Sequence, residues 1–108
     1  MADYTIDMRD VRFLLYEVLG IEKLAEYPPF NDEEMGQGKE MYDMVLDAAY
    51  KIAREKIGPV NEPGDREGVH LDTLEDGRTQ VRVPAAYKAA YKAMCDDGWI
   101  APSAPLEW

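Results

Sequence analysis

The chain has 108 residues, which is enough polypeptide for one domain or part of one. It carries 12 basic and 22 acidic side chains, so its formal net charge is −10. A hydrophobic content of 46% and seven tyrosines argue against a disordered chain. The acidic balance disfavours binding to nucleic acid or to an anionic membrane, because no basic stripe is present to neutralise phosphates.

The N-terminus lacks the basic start and apolar core of a signal peptide, and no run approaches the roughly 20 apolar residues that a membrane span needs. A single cysteine excludes an internal disulfide and fits a reducing compartment. The sequence therefore predicts a cytoplasmic protein.

Residues 9–25 are predicted to form the first helix. At about 100° per residue, their apolar side chains fall on almost every side of the helix axis, and such a helix is normally buried all round. Gly20 is a candidate break in this helix, and Pro28–Pro29 is expected to end it. The pattern predicts a helix that other polypeptide covers.

A second helix is predicted to start at the capping signal Asn31–Glu34, to loosen at Gly36 and Gly38, and to end at Gly58–Pro59. Over 40–57 its apolar arc spans roughly 240°, whereas one neighbouring helix needs only a little over 100°. We therefore expect neighbours on two sides. A narrow polar stripe completes the helix and consists of Glu40, Asp43, Asp47, Lys51 and Arg54.

Residues 61–68 are predicted to form a polar, turn-rich loop. The alternating runs 69–74 and 78–83 flank Asp76–Gly77, which indicates a hairpin because Gly77 can supply the positive φ of the turn. Both strands are short and charged, so we expect the hairpin to be a flap on the surface.

Pro84 is predicted to open a third helix, in which Tyr87, Ala90, Tyr91, Met94 and Cys95 recur at three-and-four spacing until Gly98 caps it. The fold class is thus mainly α with one small hairpin. Two parts are predicted. A helical extension covers 1–30, and the start of a helical domain covers 31–108, with a helix, a hairpin at 69–83, a helix at 84–97 and an irregular tail.

Side chains with catalytic or metal-binding chemistry are few and scattered. His70, the one histidine, would need a nucleophile or acid beside it and is predicted to face solvent. Cys95 is predicted to be a buried packing thiol, because no basic group is placed to make a thiolate. The calcium-loop pattern that begins at Asp72 fails, since Leu74 and Val83 stand where oxygen ligands belong.

The acids at 32–34, 40, 43 and 47 are better explained as a solvated helix face than as a metal site. Gly36–Gly38 lacks the preceding strand and the third glycine of a nucleotide fingerprint. No zinc set, Ser/His/Asp set or phosphate loop is found. We therefore predict no catalytic residue, no cofactor-binding residue and no metal ligand in this chain.

Several segments follow one another in a fixed order: Arg9–Gly20, Ile57–Asn61, Gly64–Gly68, Val83–Pro84, Tyr87–Lys88, Tyr91 and Gly98–Trp99. In order and spacing they resemble a subgroup of acyl-CoA dehydrogenases that includes the broad-substrate fatty acyl-CoA and the methylmercaptopropionyl-CoA dehydrogenases. The resemblance covers essentially the whole chain. The segment Glu33–Lys39, with its two glycines, departs from the pattern.

The resemblance implies α,β-dehydrogenation of acyl-CoA thioesters by a flavoprotein, with FAD and substrate held between a β-domain and helical bundles. In such enzymes a glutamate of the C-terminal bundle removes the α-proton, and none of these groups maps onto this sequence. The resemblance therefore implies an N-terminal structural portion, inactive alone, with FAD in the parent enzyme and none bound by the chain itself. Its partners would be the remainder of the dehydrogenase, or further copies through apolar helix faces.

A different class of function stays open. The chain could be a free-standing acidic helical adaptor that binds a partner protein through exposed apolar helix surface, and its stop at Trp108 favours that hypothesis. A nucleic-acid mimic is a weaker third hypothesis, since it rests on one acidic stripe.

Overall fold

The structure, a computed structural model, describes residues 5–28, 31 and 38–100. These residues form helices and one two-stranded antiparallel hairpin, so the mainly α fold class is confirmed. Their contacts divide them into two units, one within Thr5–Tyr50 and one beginning at Lys51. The predicted boundary between 30 and 31 stays a prediction.

The first helical segment is short and changes its winding twice. Asp7 caps its start by accepting a hydrogen bond from the Arg9 N–H at 2.9 Å. Gly20 lies in the left-handed region at φ 62°, so the predicted break is confirmed. The segment consists of helix α1 (Met8–Arg12), a π-helical turn (Phe13–Val18) and, after Gly20, a 3₁₀ turn (Ile21–Glu26).

Helix α2 covers Lys39–Ile52 and begins directly after Gly38, which has φ 90°. Of the predicted start signal, Asn31 lies in a turn, whereas 32–34 lie outside the described residues. Four members of the predicted stripe, Glu40, Asp43, Asp47 and Lys51, therefore lie on α2, whereas Arg54 lies beyond its end.

The predicted stop at Gly58–Pro59 is wrong, and so is the predicted loop at 61–68. Helix α2 leads directly into a π-helical turn (Ala53–Ile57) and then into helix α3 (Gly58–Glu67). The Gly58 N–H donates to the Ala53 carbonyl, five residues earlier. This wider turn suits a proline at 59, which has no N–H to offer the ordinary helical ladder.

The hairpin is confirmed. Strands β1 (His70–Thr73) and β2 (Thr79–Arg82) pair antiparallel, with Leu71 opposite Val81. Gly77 supplies the positive φ, at 82°, and the Asp76 side chain accepts from the Arg78 N–H at 3.0 Å. Seven of the eight strand residues are exposed, so the hairpin lies on the surface as predicted.

Helix α4 covers Ala85–Asp96, after Pro84, whose side chain is fully buried. It packs against α3 and the π-helical turn before it. Gly64 is buried in this contact, and the ring of Tyr87 occupies the space that a Cβ at Gly64 would need. Tertiary packing at this glycine explains why a sequence rich in helix breakers is helical here.

We predict that Gly64→Ala destabilises the chain by about 1–3 kcal/mol, because an added Cβ would lie 2.1 Å from Cε1 of Tyr87 and the ring would have to move. The loss would exceed the roughly 1 kcal/mol that alanine gains over glycine in a helix. Urea unfolding followed by far-ultraviolet circular dichroism measures the change. Asp65→Ala, at the exposed next position, is the control and should be neutral or stabilising. An unchanged unfolding midpoint for Gly64→Ala would contradict the contact.

Candidate functional site

The densest polar arrangement in the first unit surrounds the carboxylate of Asp43. Its Oδ1 accepts from Arg12 Nε at 3.1 Å and from the Tyr16 hydroxyl at 2.8 Å, and its Oδ2 accepts from Lys39 Nζ at 2.7 Å. Arg12 also donates through Nη2 to Asp47 Oδ1 at 2.5 Å. We call these five residues the Asp43 cluster. It joins the first helical segment to helix α2 by charge-assisted hydrogen bonds.

The electrostatics of the cluster stabilise the ionised forms of Asp43 and Arg12 and the neutral form of Tyr16. Hydrogen bonds from Lys39, Tyr16 and Arg12 lower the pKa of Asp43 to about 2. Desolvation, together with the bond to Asp43, raises the pKa of Tyr16 to about 12, and the bonds to Asp43 and Asp47 raise the pKa of Arg12. At neutral pH the carboxylate is therefore a poor base and the phenol a poor nucleophile. The arrangement positions a helix and has no evident chemistry to perform.

Lys39 has a second contact in the cluster, because its Nζ lies 4.7 Å from the centre of the Tyr16 ring. An open groove of about 610 Å³ lies beside these residues. Its walls carry charges of both signs and come from Arg9, Asp10, Arg12, Phe13, Tyr16, Glu17, Glu22 and Lys39. Such a mixed lining favours water and ion pairs over one ligand of a single charge.

Asp43 and Asp47 are both predicted to lie on a solvated stripe. For Asp43 this prediction is wrong, because the residue is half-buried and is bonded to Arg12 and Tyr16. One signal could have revealed the cluster. Arg12 and Tyr16 are four residues apart, as are Asp43 and Asp47, so each pair lies on one side of its helix. Two donors on one helix can therefore meet two acceptors on the other.

The other candidate residues are scattered. His70 is exposed at the start of β1 opposite Arg82, as predicted. Cys95 is exposed on α4, so its prediction as a buried thiol is wrong. The half-buried and buried positions of α4 are 86, 87, 90, 93 and 94, and Cys95 lies one step beyond that face, as does Tyr91.

The two aspartates of the apparent calcium pattern bond to other groups of the hairpin. Asp72 forms an ion pair with Arg82 at 3.2 Å, and Asp76 bonds within its own turn. Within residues 5–28, 31 and 38–100, no three His, Cys, Asp or Glu side chains come together as metal ligands would. The acids at 32–34 lie outside that part of the chain.

Large apolar side chains remain uncovered in both units. In the first unit none of the described residues is buried, and Leu14, Val18 and Met44 are 53%, 59% and 65% exposed. In the second unit an apolar groove of about 260 Å³ lies between α3 and α4. It is lined by Ile57, Val60, Asn61, Tyr87, Ala90, Tyr91 and Met94. Uncovered surface of this kind is typical of polypeptide that packs against more polypeptide.

The curated proteins that are similar to this chain are acyl-CoA dehydrogenases. A butyryl-CoA dehydrogenase of Syntrophomonas wolfei is 31% identical over 97 residues, which is 89% of this chain and 15% of that protein. The broad-specificity linear acyl-CoA dehydrogenase FadE5 of Mycobacterium tuberculosis is 30% identical over 102 residues, 92% of this chain and 15% of that protein. The chain is related to the acyl-CoA dehydrogenase family as one segment of it.

A second butyryl-CoA dehydrogenase of Syntrophomonas wolfei is 28% identical over 97 residues. The chain spans about 15% of the length of the curated relatives it matches. No family model matches the chain, and no solved structure is significantly similar to it. Among the helices of the described residues, none combines the length and apolar character that crossing a membrane requires.

We predict that the contribution of Asp43 to stability disappears in acid. Because the folded chain lowers the pKa of Asp43 to about 2, the stabilisation is present above about pH 4 and is lost as the pH falls towards about 2. Thermal unfolding of the wild type and of Asp43→Asn across this range measures it. The gap between the two melting temperatures should be constant above pH 4 and should close near pH 2.

Glu40→Gln is the matched control, since Glu40 is an exposed acid on the same helix, and its melting temperature should stay near that of the wild type throughout. Equal melting temperatures of the wild type and Asp43→Asn at neutral pH would show that the Asp43 cluster contributes nothing to stability.

Proposed function

We propose that this chain is a structural portion of a flavin-dependent acyl-CoA dehydrogenase and carries none of its catalytic groups. The observation that carries the proposal is the uncovered apolar surface on a chain whose similarity to these enzymes spans only about 15% of their length. Surface of this kind is stabilised when further polypeptide removes it from water.

In the first unit the Asp43 cluster prepares such a contact. Its hydrogen bonds hold the segment from Met8 to Val18 on α2 at one polar side, through Arg12 and Tyr16. Leu14 and Val18, one helical turn apart, remain exposed. A fixed helix loses less conformational entropy on docking than a loose one, so the cluster would favour association.

The hairpin offers a second apolar surface. Leu71 and Val81 lie opposite each other and are 69% and 63% exposed. By strand alternation Val69 and Val83, which flank the strands, belong to the same face. The opposite face carries the ion pair of Asp72 and Arg82. The hairpin is thus amphipathic, with its apolar face available to a neighbour.

In the whole enzyme, the physical role of the segment would be to wall one side of the substrate and flavin cleft and to keep water from the flavin. FAD and the α,β-dehydrogenation of acyl-CoA thioesters would then belong to the parent enzyme, in fatty acid metabolism. The single cysteine suits a reducing cytoplasm.

The alternative function is an acidic helical adaptor that binds a separate protein through the same surface. The net charge of −10 favours the adaptor function, because a strongly acidic chain repels its own copies and attracts a basic partner. The two functions differ in whether the segment can take its place inside a dehydrogenase.

A chimera tests the proposal. We replace the matching segment of the Syntrophomonas wolfei butyryl-CoA dehydrogenase by this chain and expect a protein that retains FAD and oxidises butyryl-CoA. The double variant Leu14→Ser, Val18→Ser should unfold more readily in the chimera, by about 1.5–3 kcal/mol for each side chain, because both would be buried there. In the isolated chain, where both are exposed, the effect should be much smaller.

Glu17→Ser, at an exposed polar position of the same segment, is the matched control and should have little effect in either protein. An adaptor would give a chimera that fails to retain FAD. Equal destabilisation of the chimera by the double variant and by Glu17→Ser would contradict docking through Leu14 and Val18.

We also predict that the isolated chain binds neither FAD nor acyl-CoA with useful affinity, because its sequence holds no phosphate-binding loop and no recognised flavin contact. Equilibrium dialysis against each ligand measures this, with the full-length relative as the positive control. Flavin absorbance that co-purifies with the chain would contradict the prediction.

A further inference from the structure

Helix α3 is built from residues that disfavour helices. Four of its ten residues are Gly58, Pro59, Pro63 and Gly64, and glycine and proline have the weakest helix propensities. Pro63 has no N–H to donate to the Pro59 carbonyl, and its ring crowds that turn. Local sequence therefore favours a helix end at Gly58–Pro59 and a loop over 61–68, which are the structures predicted from the sequence.

Little inside α3 compensates for this composition. The ion pair of Arg66 with Glu62 is exposed, and exposed pairs four residues apart stabilise a helix only weakly. The one buried residue of α3 is Gly64, which has no side chain to bury. The ring of Tyr87 on α4 covers Gly64 and occupies the space that a Cβ at this position would need.

We propose that α3 is a conditional helix, which persists only while Tyr87 lies against Gly64 and opens to a loop when that contact is lost. Val60 and Asn61 form one wall of the apolar groove between α3 and α4, so the groove would open with the helix. The switch is independent of the packing role proposed above, because it depends only on contacts within the second unit.

Both ends of α3 permit such a transition without disturbing their neighbours. Before α3, the wider turn over Ala53–Ile57 already departs from α-helical pairing. After it, Gly68 lies at φ 74°, a conformation that glycine adopts freely. Opening can therefore be confined to the segment between them.

Hydrogen–deuterium exchange of the whole chain, resolved by peptide, tests this first without any substitution. Amides of α3 should exchange at least about tenfold faster than those of α4, since a conditional helix opens locally and α4 opens with the unit. Equal rates for the two helices would overturn the proposal.

Two tyrosines of α4 supply a matched pair of variants. Tyr87→Ala removes the ring over Gly64 and should speed exchange in α3 by about tenfold or more, while α4 stays protected. Tyr91→Ala removes a ring that is 61% exposed and lines the same groove, and it should change α3 by less than about threefold. Equal effects of the two variants would overturn the proposal.

The sharpest readout is a change of sign. In the wild type, Gly64→Ala should speed exchange in α3, because the new methyl displaces the Tyr87 ring. In the Tyr87→Ala background the same change should slow it, because space is free and alanine favours the helix. The same sign in both backgrounds would overturn the proposal.

Amides of α4 report in each measurement whether the second unit is still folded. If Tyr87→Ala exposes α4 as well, Tyr87→Leu takes its place, since leucine keeps apolar bulk without a flat ring. Loss of protection in α3 alone then supports the switch, and equal loss in α3 and α4 for both variants overturns it.

Discussion

The small amount of apolar burial is the constraint on which the rest of this structure depends. Among the described residues, Ile52, Ala90 and Pro84 are the buried apolar side chains, and all three belong to the second unit. Burial at about 25 cal/mol per Å² is the dominant stabilising term in folding, so a chain with so little of it must use other contacts. Two kinds of contact take this role. The first unit has the charge-assisted hydrogen bonds of the Asp43 cluster, and the second unit has the packing of the Tyr87 ring on Gly64.

These two contacts work differently. The Asp43 cluster gathers three donors on one carboxylate, and a network of this kind fixes geometry better than a single surface ion pair does. The Tyr87 ring occupies the space that a side chain at position 64 would need, and so favours a glycine there. The first contact sets the direction of a helix, whereas the second decides whether a helix exists at all.

Local signals were sufficient for part of the fold. The hairpin follows from Asp76–Gly77 and alternating runs, and the break at Gly20 follows from the weak helix propensity of glycine. Helix α3 cannot be predicted from local signals, because tertiary packing on Gly64 overrides propensity. The exposure of Cys95 cannot be predicted either, because residue spacing gives the period of a helix face but not its width. For the Asp43 cluster, the four-residue spacing of the donors and of the acceptors is visible in the sequence, but their pairing across 31 and 27 positions depends on the tertiary fold.

The hairpin also bears on behaviour at high concentration. A two-stranded sheet has outer edges that another strand could join, and its apolar face would encourage stacking. The charged side chains of Asp72 and Arg82 stand on the other face, so a fibril-like stack would have to strip water from that pair repeatedly. That desolvation cost would recur with every added copy, so it would oppose amyloid-type growth while the apolar face stays exposed.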